Sequence, residues 1–115
     1  RRFVRLAEGL VHVRECLPTT DSGARRVPLY LMHAGPASAR GLEPLMLALR
    51  AAGFEGPMIA PDTLGNGDSA GPLPERPDIA YFADSVRRVL DALKIERVDV
   101  YGAHTGCRTA AELAI

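Results

Sequence analysis

The chain has 115 residues with a formal net charge of zero, and 47% of them are hydrophobic, a share that is normal for a globular core and too high for disorder. Equal numbers of basic and acidic residues, 14 of each, give no electrostatic case for a nucleic-acid partner or an anionic membrane. No apolar run approaches the ~20 residues that a membrane helix needs.

Alternating residues predict two strands at the start of the chain. Residues 3–6 and 11–16 alternate, and Glu8-Gly9 between them suits a tight turn, so the two segments predict an antiparallel hairpin. Residues 18–26 are polar and contain glycine, which indicates a surface connection. Residues 27–32, V-P-L-Y-L-M, are almost continuously apolar, as expected for a strand that is buried on both faces.

Helical periodicity then alternates with short apolar segments. Apolar residues recur at helical spacing over 42–49, with Gly53 as the stop, and again over 82–93. Residues 57–60 and 97–101 predict strands, 62–77 a long polar loop, and 105–115 a further helix. The order β-β-β-α-β-α-β-α predicts a doubly wound, mostly parallel sheet with right-handed crossovers and helices on both faces.

Three short motifs follow the third, fourth and fifth predicted strands. They are H-A-G-P-A-S at 33–38, A-P-D-T-L-G-N-G-D-S at 60–69 and G-A-H-T-G at 102–106. In this order and at this spacing they resemble the His-Gly-x-Pro turn, the Pro-Asp-x-x-Gly-x-Gly-x-Ser loop and the G-x-S-x-G nucleophile elbow of the α/β-hydrolases. The resemblance covers essentially the whole chain. It departs from the family pattern at Ala34, where glycine is usual, and at His104, which stands in the place of the nucleophile.

The resemblance implies that residues 1–115 are the N-terminal part of a single domain of the α/β-hydrolase type, about twice as long. This part would hold the first five strands, with the N-terminal hairpin as an antiparallel edge. The missing remainder would carry the acidic member of the triad and the catalytic histidine, so we expect the fragment alone to be inactive. It would also leave the strand at 97–101 as an exposed apolar edge, which invites aggregation.

Backbone preferences select His104 as the elbow residue. The central residue of an elbow has positive φ, and its neighbours two positions away must be small, as Gly102 and Gly106 are. A rival register centred on Thr105 also has small neighbours and would supply a hydroxyl nucleophile. Threonine is β-branched and a poor occupant of positive φ, whereas histidine is enriched there, which favours the register centred on His104.

The imidazole of His104 could act in three ways. It could attack an activated acyl group, since histidine forms covalent intermediates. It could be a general base, since histidine changes its charge near neutral pH. It could also be a vestigial residue that only fills the position. The resemblance further places two oxyanion-hole donors at the backbone N–H groups of Gly35 and Thr105, and the start of the last helix would add its dipole there.

These features lead us to expect a hydrolase that acts on an ester- or thioester-like carbonyl substrate, a small molecule. The first alternative is a catalytically inactive ligand-binding or regulatory protein on the same fold, and the second is a cofactor-free lyase or an oxygenase-type member. No His, Cys, Asp or Glu grouping has metal-ligand spacing, so neither a metal nor a cofactor is predicted. Cys16 and Cys107 lie far apart without C-x-x-C spacing, which predicts reduced thiols and a cytoplasmic location.

The remaining polar residues have structural interpretations. His33 is expected to be a hydrogen-bonded residue that orients its turn, and His12 is expected to face solvent. Cys107 is expected to be a small packing residue. Three residues of the long loop are expected to brace it through local hydrogen bonds: Asp62, Asp68 and Ser69. The glycines of that loop superficially resemble a dinucleotide fingerprint, but prolines rather than a helix start follow them, so nucleotide binding is not expected.

Overall fold

A computed structural model describes residues 1–7, 9–35, 37–71 and 73–114. Within these residues one sheet of five strands forms, in the order β1-β2-β4-β3-β5. The strands are β1 (Arg2–Leu6), β2 (Gly9–Cys16), β3 (Leu29–Met32), β4 (Met58–Pro61) and β5 (Asp99–Gly102). β1, β2 and β4 pair antiparallel, whereas β3 pairs in parallel with both β4 and β5. The predicted hairpin at the edge of a mixed sheet is confirmed, although Glu8 of its turn lies outside the described residues.

The predicted helices are also present. They are α2 (Glu43–Ala51), α3 (Ile79–Ala92) and α4 (Thr105–Ala114), while Ile115, the predicted end of the last helix, lies outside the described residues. Two short elements were not predicted: the four-residue helix α1 (Asp21–Ala24) and a 3-10 turn at Ala39–Leu42. Helix α1 depends on a local cap, since the Thr20 hydroxyl accepts the Gly23 N–H at 2.8 Å. None of the described helices is both long enough and apolar enough to cross a membrane.

Helices cover both faces of the sheet. Successive strand residues point to opposite faces, so alternate residues of β3 pack against different helices. Tyr30 and Met32 of β3 belong to a core cluster that also contains Val86 and Val89 of α3 and receives Leu113 of α4. Leu31, between them, belongs to a second cluster formed with α2 and the 3-10 turn. The apolar run of β3 is therefore buried on both faces, as predicted.

Strand β5 forms one edge of the sheet, and its first three residues are exposed. Val100 is 38% exposed and Tyr101 41%. Within the described part of the chain β5 pairs with β3 alone. Its carboxyl end leads directly into the turn that precedes α4, and this connection positions the candidate site.

Candidate functional site

A sharp turn joins β5 to α4 and has His104 at its centre. The backbone of His104 is left-handed, with a φ of 55°, which is the conformation expected of the central residue of an elbow. Its side chain is exposed. The turn begins with the Ala103 N–H donating to the Met32 carbonyl at 3.0 Å, which fixes it against the end of β3. The register centred on Thr105 is not observed, because Thr105 is the first residue of α4.

Close backbone contacts explain the two glycines on either side of His104. A Cβ atom on Gly102 would overlap the carbonyl group of Gly106, one turn further along the chain. A Cβ atom on Gly106 would lie 2.6 Å from the carbonyl oxygen of Met32, in β3. Both positions therefore require glycine, because only a residue without a side chain permits this approach of strand and helix.

A cleft of about 200 Å³ opens beside the turn. Its walls are formed by the turn after β3, the loop after β4, the start of α3 and the first turn of α4. The lining residues are Met32, His33, Gly35, Thr63, Asn66, Ile79, Phe82, Thr105, Gly106 and Thr109. Apolar side chains and several hydroxyl or amide groups thus meet in one concave site, the usual composition of a small-molecule pocket. His104 lies in the adjoining turn and is not among the described residues that line the cleft.

The two residues predicted as oxyanion-hole donors lie next to each other at this cleft. The Gly35 N–H donates a hydrogen bond to the Thr105 side-chain hydroxyl at 2.7 Å. Among the described residues, none accepts a hydrogen bond from the Thr105 N–H. The structure therefore brings the two predicted residues together but shows the Gly35 donor bonded to a side chain, a contact that was not predicted from the sequence. Pro36, the next residue of the His33 motif, lies outside the described residues.

Asp62 is the buried centre of the loop after β4. Its carboxylate accepts the Ala39 N–H at 2.7 Å, the Asp68 N–H at 2.8 Å and the Nδ1 of His12 at 3.0 Å. Ser69 adds to this brace, since its hydroxyl donates to the Asp62 carbonyl at 2.7 Å and accepts the His12 N–H at 2.9 Å. The predicted structural roles of Asp62 and Ser69 are confirmed. Asp68 contributes its backbone, while its exposed side chain pairs with Arg1.

The prediction that His12 faces solvent is wrong. Its side chain is 1% exposed, because the loop after β4 covers the face of β2 that carries it. Arginine can only donate, so the 2.9 Å bond from Arg1 Nε to Nε2 of His12 leaves the proton on Nδ1, where it is donated to Asp62. The His12 ring and the Asp62 carboxylate are therefore both buried and hydrogen-bonded to each other.

The fold also brings His12, Asp62 and Asp68 together, with potential ligand atoms within 4.8 Å of one another. This grouping was not predicted from the spacing of the residues in the sequence. Asp62 already accepts three N–H donors, and the guanidinium of Arg1 bonds both His12 and Asp68. The three side chains thus have hydrogen-bond partners within the protein, so we assign them to holding the loop after β4 in place.

The prediction for His33 is confirmed and the prediction for Cys107 is not. His33 is buried, accepts the Thr63 N–H on Nε2 at 3.0 Å and donates from Nδ1 to the Ala34 carbonyl at 2.8 Å, so it holds its turn as predicted. Cys107 is exposed rather than packed, so the prediction for this residue is wrong. Its thiol donates to the Gly102 carbonyl at a distance of 2.8 Å.

The carboxyl group of Asp62 makes the stability of the loop depend on pH. Burial would raise its pKa, but the hydrogen bonds from Asp68, Ala39 and His12 together lower the pKa below its ordinary value of 3.8. A depressed pKa in the folded state stabilises the fold above the ordinary value, and this contribution is lost as the pH falls through the folded-state pKa. We therefore expect the urea midpoint to fall with acidification below about pH 4, and we expect Asp62→Asn to flatten that dependence. If the urea midpoint of Asp62→Asn fell as steeply below about pH 4 as that of the wild type, Asp62 would not be the source of the pH dependence.

No protein-family model matches the sequence, and no curated protein is a significant match to it. Solved structures, in contrast, match nearly the whole chain. The N-acyl homoserine lactonase AidH is 24% identical over 97% of this chain, with a TM-score of 0.81. An epoxide hydrolase from Aspergillus niger is 18% identical over 98%, with a TM-score of 0.81. An esterase from Exiguobacterium antarcticum is 21% identical over 96%, with a TM-score of 0.77.

These likenesses show that the chain has the α/β-hydrolase fold, as the three sequence motifs predicted. The chain spans 39%, 30% and 38% of the lengths of the lactonase, the epoxide hydrolase and the esterase. The three proteins are named for different reactions. Fold alone therefore does not select a substrate, and the function must be argued from the residues of the site.

Proposed function

We propose that the chain is the N-terminal part of a longer α/β-hydrolase domain that acts on an ester- or thioester-like carbonyl substrate. The observation that carries this proposal is the left-handed backbone of His104, with a φ of 55°, in a turn beside a cleft lined by Gly35 and Thr105. The names of the lactonase and the esterase support carbonyl chemistry. A small-molecule partner and a cytoplasmic location stay predictions from the sequence.

In the proposed reaction the imidazole of His104 attacks the carbonyl carbon of the substrate. The negative charge that develops on the carbonyl oxygen is stabilised by the N–H groups of Thr105 and Gly35. The alkoxide or thiolate leaves and takes up a proton, after which water cleaves the acyl-imidazole to release the carboxylic acid and restore His104. In a second form of the proposal, His104 instead removes a proton from the water that attacks the carbonyl carbon.

The test compares the full-length protein with two substitutions at His104, using p-nitrophenyl acetate as substrate. We expect His104→Ala to lower kcat/KM about 100-fold, the lower end of what a positioned acid or base contributes. His104→Ser shows whether a serine at this position is activated by residues outside the described chain. Cys107→Ser is the matched control, since it replaces the exposed thiol near the turn with a weaker nucleophile and should keep the activity. Background hydrolysis that is the same in wild type, His104→Ala and His104→Ser would eliminate the hydrolase proposal.

A ligand-binding or regulatory protein is the second candidate. Two observations favour it: His104 is outside the lining of the cleft, and the Gly35 N–H already has an acceptor in Thr105. A protein of this kind would bind a carbonyl or carboxylate ligand in the cleft without turning it over. Ligand binding that survives in His104→Ala, together with no hydrolysis in the wild type, would favour this candidate.

A further inference from the structure

The hydroxyl group of Thr105 occupies the place that a ligand oxygen would need. Oxyanion-hole donors lie about 2.7–3.1 Å from the oxygen that they stabilise. The Thr105 Oγ1 atom is 2.7 Å from the Gly35 nitrogen, within that range. Even a Cβ atom added to Gly35 would lie 3.3 Å from Oγ1, so the hydroxyl is close to the backbone of the turn. Both residues line the cleft, which makes this contact accessible to a ligand.

A backbone N–H group makes one strong hydrogen bond, so a ligand oxygen and the Thr105 hydroxyl cannot both be well bonded to the Gly35 N–H. A neutral oxygen that displaces the hydroxyl exchanges one neutral hydrogen bond for another and gains little. An oxygen that carries negative charge gains more, because a hydrogen bond to an ionised acceptor is roughly twice as strong as one between neutral groups. The neighbouring Thr105 N–H, which has no acceptor among the described residues, can then bind the same oxygen.

We infer that the Thr105 side chain is an internal competitor for the Gly35 N–H, and that a ligand with an anionic oxygen, a carboxylate or a reaction oxyanion, gains enough to displace it. This inference rests on the proposed function, because it assigns the ligand class of the same cleft. It gives Thr105 a side-chain role in ligand affinity in addition to its predicted backbone role. The hydroxyl accepts the Gly35 N–H and is displaced when a charged oxygen binds to this donor.

The experiment uses acetate as the probe and the full-length protein, followed through the amide resonances of Gly35 and Thr105. Thr105→Ala removes the competing oxygen, and alanine is favourable in a helix, so the fold should be retained. We expect Thr105→Ala to bind acetate about fivefold more tightly, because the net contribution of one neutral hydrogen bond is lost from the empty state. The Gly35 amide should also exchange its hydrogen about fivefold faster in this variant without acetate.

Thr105→Ser is the matched control, since serine keeps the hydroxyl and should keep both the acetate affinity and the exchange rate near those of the wild type. Acetate affinity in Thr105→Ala that is equal to or weaker than in the wild type would overturn the inference. So would an acetate titration that leaves the Gly35 amide resonance of Thr105→Ala unchanged. Neither measurement needs turnover, so a failure of the hydrolase proposal, seen as absent esterase activity, is distinguishable from a failure of this one.

Discussion

Replacing Asp62 with alanine is expected to lower the free energy of unfolding of the full-length protein by about 4 kcal/mol, since two buried donors and one part-buried donor lose their acceptor at ~1–3 kcal/mol each. These donors are the N–H groups of Ala39 and Asp68 and the Nδ1–H of His12. The side chain of Asp62 is 2% exposed, so water does not readily replace the carboxylate. Urea unfolding followed by circular dichroism measures the loss.

Asp68→Asn is the matched control for this prediction. The Asp68 side chain is 55% exposed and forms an ion pair with Arg1, an interaction that contributes about 0–1 kcal/mol at such exposure. The backbone N–H that Asp68 donates to Asp62 is unchanged in this variant. If Asp62→Ala and Asp68→Asn reduced stability by the same small amount, the three hydrogen bonds to the Asp62 carboxylate would not be what stabilises the loop.

Replacing Gly102 with alanine is expected to reduce stability by about 3 kcal/mol, the upper part of the range for an overpacked site. The new Cβ atom would overlap the Gly106 carbonyl and lie 2.6 Å from the Cys107 nitrogen. These are backbone atoms, so they cannot move without separating the start of α4 from the end of β5. Thermal unfolding measures the effect, and the amide resonance of His104 should shift because the turn is displaced.

Gly41→Ala is the control for the glycine prediction. Gly41 is an exposed residue of the 3-10 turn, and a Cβ atom there would meet no heavy atom within 4 Å. We expect its stability to stay within about 0.5 kcal/mol of the wild type, as for most surface substitutions. A Gly102→Ala protein as stable as Gly41→Ala would show that strand and helix are not in close contact at this turn.

Apolar patterning was sufficient to predict the sheet and its long helices. The run that contains Tyr30, Leu31 and Met32 has no polar interruption, and it is buried on both sides between α2 and the α3–α4 pair. The resemblance of G-A-H-T-G to an elbow predicted the left-handed backbone of His104, since histidine is among the non-glycine residues that are enriched in that conformation. Helix α1 was not predicted from the sequence, because it depends on the Thr20 cap and has no apolar repeat.

The remaining differences arise from contacts between distant parts of the chain. Alternation in β2 placed His12 on the face opposite its valine neighbours, but it gave no information about the loop that covers this face from 50 positions away. The Thr105 hydroxyl meets the Gly35 N–H across 70 positions. The side-chain conformation that permits this bond depends on the packed backbone, so spacing in the sequence could predict the two residues but not their hydrogen bond.

The Asp62 carboxylate has a consequence for engineering. It joins Ala39, in the turn region after β3, to the loop after β4 and to His12 of β2. Grafting a foreign loop onto residues 63–71 to change ligand preference would therefore fail if it removed the backbone donor at Asp68 or the hydroxyl of Ser69. A transplant that keeps Asp62, Asp68 and Ser69 as a set would keep the bonds that hold the loop to β2 and to Ala39, so this loop can be redesigned only around those fixed points.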